Sequence, residues 1–218
     1  MARTIVYIDG FNLYYCALKR TSHKWLDIAA MSAASLPHGY QIQAVNYYTA
    51  RISRRVDPSA PARQHAYLRA LESLPTVTIH YGNFFVGKKW SGLVQPLGFR
   101  PPFTLPAGAA PTVARVWKTE EKGSDVNLGV HLVRDAFKAA FEEAAVLTND
   151  TDLVEPVRIV TKEIGLPVTL LTPCARPSPS LADVSTAVRH IQPYLGPWQF
   201  PNPIHVPGHK AIAKPASW

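Results

Sequence analysis

Short β-branched runs that end in a carboxylate recur along this chain, with helical segments between them, and this recurrence narrows the fold most. "TIVYIDGFN" (residues 4–12) passes from an apolar strand into Asp9, Gly10 and Asn12, and "AVLTNDTD" (145–152) passes from a second apolar strand into Asp150 and Asp152. Further strands are expected at 40–50, 76–82, 113–117 and 167–173. Helices are expected at 12–20, 26–36, 60–74, from Ser124 or Asp125 onward, and at 152–164. Strands that alternate with helices predict an α/β fold with a mainly parallel sheet, covered on both faces. In such sheets, sites gather beyond the carboxyl ends of the strands. Asp-Gly is also an ordinary turn and Asn an ordinary helix cap, so either strand end alone means little.

The 218 residues suffice for one substantial domain, 47% of them hydrophobic and 17% charged, a globular mixture. No apolar run approaches the ~18 residues of a membrane span. "MARTIVYIDG" reaches a carboxylate before a signal-peptide core forms, so a cytoplasmic location is expected. Cys16 and Cys174 make neither a disulfide framework nor a zinc cluster. Residues 1–195 read as the domain, interrupted by a long Pro/Gly-rich loop at 91–112. Residues 196–218 read as a proline-rich basic tail, either packed extended or disordered.

The net charge of +8 is unevenly spread. Residues 51–118 carry ten Lys/Arg against Asp57 and Glu72, whereas residues 119–163 carry ten Asp/Glu against five Lys/Arg. A basic stretch beside an acidic one suits a protein that holds a polyanion near carboxylates. "EEKGSDVN" sets Asp125 at a helix start, where a loop can bring it beside Asp9 and Asp150. Converging carboxylates raise a pKa or recruit a cation, and oxygen-only ligands favour Mg²⁺ or Mn²⁺. Asp135 lies ten residues further on, about 15 Å along a helix, and is expected to be solvated or to stand behind the ligands. Val126, Val130, Val133, Phe137 and Ala140 form an apolar stripe expected to face the core. Tyr47 and Tyr48 are expected in the core, while Phe84, Phe85 and Trp90 stand between packing and stacking on bases.

Taken together, "YIDGFNLYY", "EEKGSDVNLGVHLVRDA" and "VLTNDTDLVEPVRIV" resemble, in order and spacing, the NYN domain of the PIN-like ribonuclease superfamily, and its LabA-like branch in particular. The resemblance implies a PIN-like three-layer α/β/α sandwich and metal-dependent hydrolysis of RNA by a Mg²⁺- or Mn²⁺-activated water. It implies Asp9, Asp125 and Asp150 as metal ligands, with Asn12 and Asp152 completing the catalytic set. His131 stands where many NYN domains carry an acid. RNA, single-stranded or structured, is the expected partner, gripped by Arg51, Arg54, Arg55, Lys88, Lys89 and Lys122, with a homodimer left open. The alternative is a non-catalytic RNA-binding or scaffolding module on the same fold.

Overall fold

The computed structural model describes residues 1–54, 57–100, 102–106 and 108–218, and leaves the Thr119 side chain undescribed. Among these residues seven strands form one sheet. They are β1 (Ala2–Asp9), β2 (Tyr40–Ala50), β3 (Val77–Gly92), β4 (Val113–Lys122), β5 (Glu143–Leu147), β6 (Val168–Thr172) and β7 (Ala187–His190). Their order is β4-β3-β2-β1-β5-β6-β7. Every neighbouring pair is parallel except β3–β4. The expected α/β class and mostly parallel sheet are therefore observed. β7 carried no clear strand signal, and the strand at 113–117 continues to Lys122.

Helices lie on both faces. α1 (Gly10–Asn12, continued as π-type turns over Leu13–Leu18), α2 (Ile28–Ser35) and α3 (Ala60–Glu72) lie on one. α4 (Ser124–Phe137), α5 (Val154–Arg158, continued over Ile159–Ile164) and α6 (Pro179–Val184) lie on the other, and α7 (Gln192–Leu195) is a short turn near the C-terminus. Strand periodicity sorts the core accordingly. Val6 and Ile8 of β1 join Val45, Tyr47, Ala145 and Leu147 on the first face, while Tyr7 joins Tyr48, Ala144 and Val146 on the second.

The stripe on α4 corrects its sequence reading. Val126, Val130 and Phe137 are 67%, 58% and 71% exposed, and the helix buries Leu128, Leu132 and Ala136 instead. Both sets have helical spacing. The deciding contact is polar: the Tyr7 hydroxyl donates to Asp135 Oδ2 (2.9 Å), and Asp135 is buried and ion-paired with Arg134. Asp135 is thus buried rather than solvated; its bond to Tyr7 turns α4 so that the leucine face meets the sheet.

Residues 196–218 pack rather than trail. Asp27 N donates to the Trp198 carbonyl, Phe200 N to the Trp25 carbonyl, and Trp25 Nε1 to the Pro201 carbonyl. The Trp218 ring meets Trp25 and Tyr67.

Leu132→Ala is expected to cost about 2–5 kcal/mol, the range for a buried leucine that leaves a cavity, measured by urea denaturation.

Candidate active site

Asp9 ends β1 at the centre of the sheet and is 2% exposed. Its Oδ1 accepts from Asn12 N (2.9 Å), capping α1, and its Oδ2 accepts from the Thr148 hydroxyl (3.1 Å) beyond β5. Asn12 Oδ1 accepts from Asn149 N (3.1 Å), so the turns after β1 and β5 are tied together. Gly10 is required here by close approach, because a Cβ would lie 2.6 Å from the Tyr47 ring and 2.7 Å from the Tyr48 carbonyl oxygen.

Asp125 arrives from the opposite direction. Gly123 takes a left-handed conformation (φ 97°), and Glu121 Oε1 accepts from Ser124 N (3.0 Å) at the start of α4. The start of this helix is thus fixed by the Glu121 carboxylate. The Glu121 carboxylate also lies against Gly82, where a Cβ would meet Oε1 at 2.4 Å. Asp150 Oδ1 caps the following turn through Asp152 N (3.1 Å).

Asp9, Glu121, Asp125 and Asp150 all border one cavity of about 630 Å³ at the carboxyl edge of the sheet. Asp152 does not line it. The walls are mainly aromatic: Phe11, Tyr14 and Tyr15 from α1, Tyr47 from β2, Tyr67 from α3, Phe84 from β3 and Trp218. Lys19, Lys24 and Arg63 bring positive charge to its border. Arg63 is paired with Asp57, and Lys19 stands 4.7 Å over the Tyr15 ring. Burial, joined by the charges of Asp9, Glu121 and Asp150, pushes the Asp125 carboxyl up to about 6. Burial also raises Asp9, with Asp150 adding to it, although the Asn12 and Thr148 hydrogen bonds oppose the shift.

Asp9, Asp125 and Asp150 are thus neighbours, yet among the described residues no three His, Cys, Asp or Glu side chains are placed to hold a metal ion together. Both Asp9 oxygens already accept protein hydrogen bonds, and the expected carboxylate-held Mg²⁺ or Mn²⁺ is not matched by an assembled ligand set. His131 faces a different seam: its Nδ1 lies 3.0 Å from the Tyr48 hydroxyl and its ring meets His80 edge-on. Burial lowers the pKa of both histidines.

Among the described residues, the cations expected to contact RNA do not line this cavity. Arg51 stacks on Tyr81, Lys88 on Trp117, and Arg54, Lys89 and Lys122 are exposed; Arg55 lies outside the described residues. Phe84 joins the cavity wall, Phe85 and Trp90 are exposed, and Tyr47 and Tyr48 are core residues as expected. The aromatic wall escaped the sequence reading because its members come from four segments and a terminal residue with no shared motif.

The fold and site define an α/β protein with an aromatic, acid-tipped pocket at the carboxyl edge of its sheet. A solved protein of unknown function from Vibrio parahaemolyticus shares this fold, with a TM-score of 0.54 and 14% identity over 91% of this chain and 96% of the other. No family model matches the chain. The 6-hydroxy-3-succinoylpyridine 3-monooxygenase HspA of Pseudomonas putida is 30% identical over 243 aligned positions, which cover 99% of this chain and 75% of that protein. The chain belongs to the family of that monooxygenase. This relationship overturns the expected ribonuclease and metal-dependent hydrolase.

The Asp125 shift has a consequence for folding. A carboxyl with a raised folded-state pKa binds its proton more tightly folded than unfolded, so its contribution is present below about pH 4 and is lost as pH rises through about 6. Asp125→Asn removes that loss. Because Asp125 is half-exposed and partly screened, the variant is expected to gain about 1 kcal/mol at pH 7.5 and nothing at pH 4, read from urea melts at both values.

Proposed function

We propose that this chain is an oxidoreductase that hydroxylates a small hydroxylated aromatic acid bound in the aromatic pocket. The observation that carries the reading is the near full-length relationship to a monooxygenase whose named substrate combines a hydroxypyridine ring with a succinoyl arm. The pocket has matching parts. Its aromatic walls suit a flat ring, Lys19 and Lys24 suit a carboxylate arm, and Asp125 suits a ring hydroxyl.

Monooxygenation places one oxygen atom of dioxygen in the substrate and the other in water, drawing two electrons from a reductant. The end of β1 does not fit a dinucleotide held in the Rossmann manner. The Asp9 carboxylate caps α1 where a pyrophosphate would sit, and Tyr47 covers Gly10. No step is therefore assigned to a dinucleotide at that turn. The chain's own contribution is to bind, orient and deprotonate. With a pKa of about 6, Asp125 is ionised at neutral pH and accepts the ring hydroxyl proton. The resulting oxyanion pushes electron density to the ring carbon para to it. In the relative's named substrate the hydroxyl is at carbon 6 and the para carbon, carbon 3, carries the succinoyl arm, so the C–O bond forms there as the C–acyl bond breaks. The ring keeps the bonding pair, and the acyl group passes to water as a carboxylic acid or, with a second electron pair from the reductant, leaves as an aldehyde.

We further propose that the architecture is the PIN-like sandwich of NYN domains, carrying oxidative chemistry instead of phosphodiester hydrolysis. Adjacent acid-tipped β1 and β5, faced by the N-terminus of α4, support that reading.

Oxygen uptake with 6-hydroxy-3-succinoylpyridine, supplied with NADH and flavin, tests the function, with ¹⁸O₂ incorporation read by mass spectrometry. Asp125→Asn is expected to lower kcat about 10²–10⁴-fold while retaining binding. The wild-type kcat/KM is expected to rise through an acid limb near pH 6 that the variant lacks. Lys24→Met is expected to raise KM about tenfold for the carboxylate substrate and to leave its methyl ester unaffected. Failure of ¹⁸O to enter any hydroxypyridine acid would overturn the proposal.

A further inference from the structure

We propose that the exposed apolar face of α4 is where two copies of this chain pair, helix against helix, in antiparallel register about a two-fold axis. Val126, Val130 and Phe137 are more than half exposed, and Val133 is partly buried beside them. Large apolar side chains grouped on one helix face mark an interaction surface rather than scattered exposure. Beside them a cavity of about 650 Å³ runs between α4 and α5, where Val126, Val130 and Val133 face Leu153, Pro156 and Ile159. Gly129 lets the two helices approach closely, since a Cβ there would meet the Pro156 ring at 2.8 Å.

The spacing of the stripe selects a second copy as the occupant. Val126, Val130, Val133 and Phe137 follow one another at intervals of four, three and four residues, the seam spacing of helices that pack on each other. That series reads the same from either end. An antiparallel copy therefore places Val126 opposite Phe137 and Val130 opposite Val133, and every apolar residue meets an apolar one. The large Phe137 ring of each copy reaches the valine end of the other, where the groove opens. A two-fold axis requires such self-complementarity, which an unrelated partner does not.

Charge agrees with this register. Glu121, Asp125 and Asp152 line the groove toward the N-terminal end of α4, while Lys138 lies toward its C-terminal end beside Arg134, whose charge is shared with Asp135. Antiparallel pairing sets the basic end of one copy over the acidic end of the other and the two helix dipoles antiparallel.

Sedimentation velocity of the full chain from about 1 to 100 μM tests the pairing. A species of twice the 24.0 kDa chain mass is expected. Val130→Glu is expected to weaken association at least tenfold with an unchanged far-UV spectrum, and Val188→Glu, on β7, to leave it intact. Should Val130→Glu fail to fold, Phe137→Glu at the helix end gives the same reading. For the register, Val126→Cys combined with Phe137→Cys is expected to form an interchain disulfide under mild oxidant that neither single variant nor the wild type forms. A monomer throughout the range, a dimer unaffected by both glutamates, or self-linking by Val126→Cys alone would overturn the proposal.

Discussion

The buried carboxylate of Asp9 organises the site edge of this molecule. It ends the central strand, and its two oxygens serve two different neighbours, the first turn of α1 and the Thr148 hydroxyl beyond β5. A carboxylate buried at 2% exposure is costly unless both oxygens accept hydrogen bonds, and these two donors compensate for the lost water. Asn12 then extends the arrangement by holding Asn149. The cavity above the sheet inherits its floor from these few contacts, while α1, β2, α3 and β3 supply its aromatic sides.

On the opposite face a second buried polar group does comparable work. Asp135 accepts from Tyr7 and pairs with Arg134, and this contact chooses which of two apolar faces α4 buries. The leucine face meets the sheet and the valine face looks outward. The same rotation leaves Asp125 at the cavity border and His131 in the seam with Tyr48 and His80. One helix thus presents a core face, a site residue and an uncovered apolar stripe.

Carboxylates at the edge of a parallel sheet do not by themselves name a reaction. Acid-tipped β1 and β5 and the helix carrying Asp125 were legible in the sequence, and the structure brings Asp9, Asp125 and Asp150 to one cavity. The chemistry assigned to them was not legible, because the same edge serves different reactions depending on the walls around it. Those walls are Phe11, Tyr14, Tyr15, Tyr47, Tyr67, Phe84 and Trp218, and each alone reads as an ordinary core or tail residue. The family relationship to a monooxygenase shifts the reading from hydrolysis to oxidation.

Local patterns in the chain were sufficient for the α/β class, the parallel strands and the positions of Asp9, Asp125 and Asp150, because strand and helix periodicity and turn chemistry act over a few residues. Tertiary structure alone decided the buried face of α4, the service of Glu121 as the cap of that helix, and the packing of the proline-rich segment beneath Trp218 at the pocket. Each of these depends on a partner remote in sequence: Tyr7 for Asp135, Gly82 for Glu121, Trp25 and Tyr67 for Trp218. Periodicity along a chain carries no information about which distant group will meet a side chain, and at this site the distant group sets the outcome.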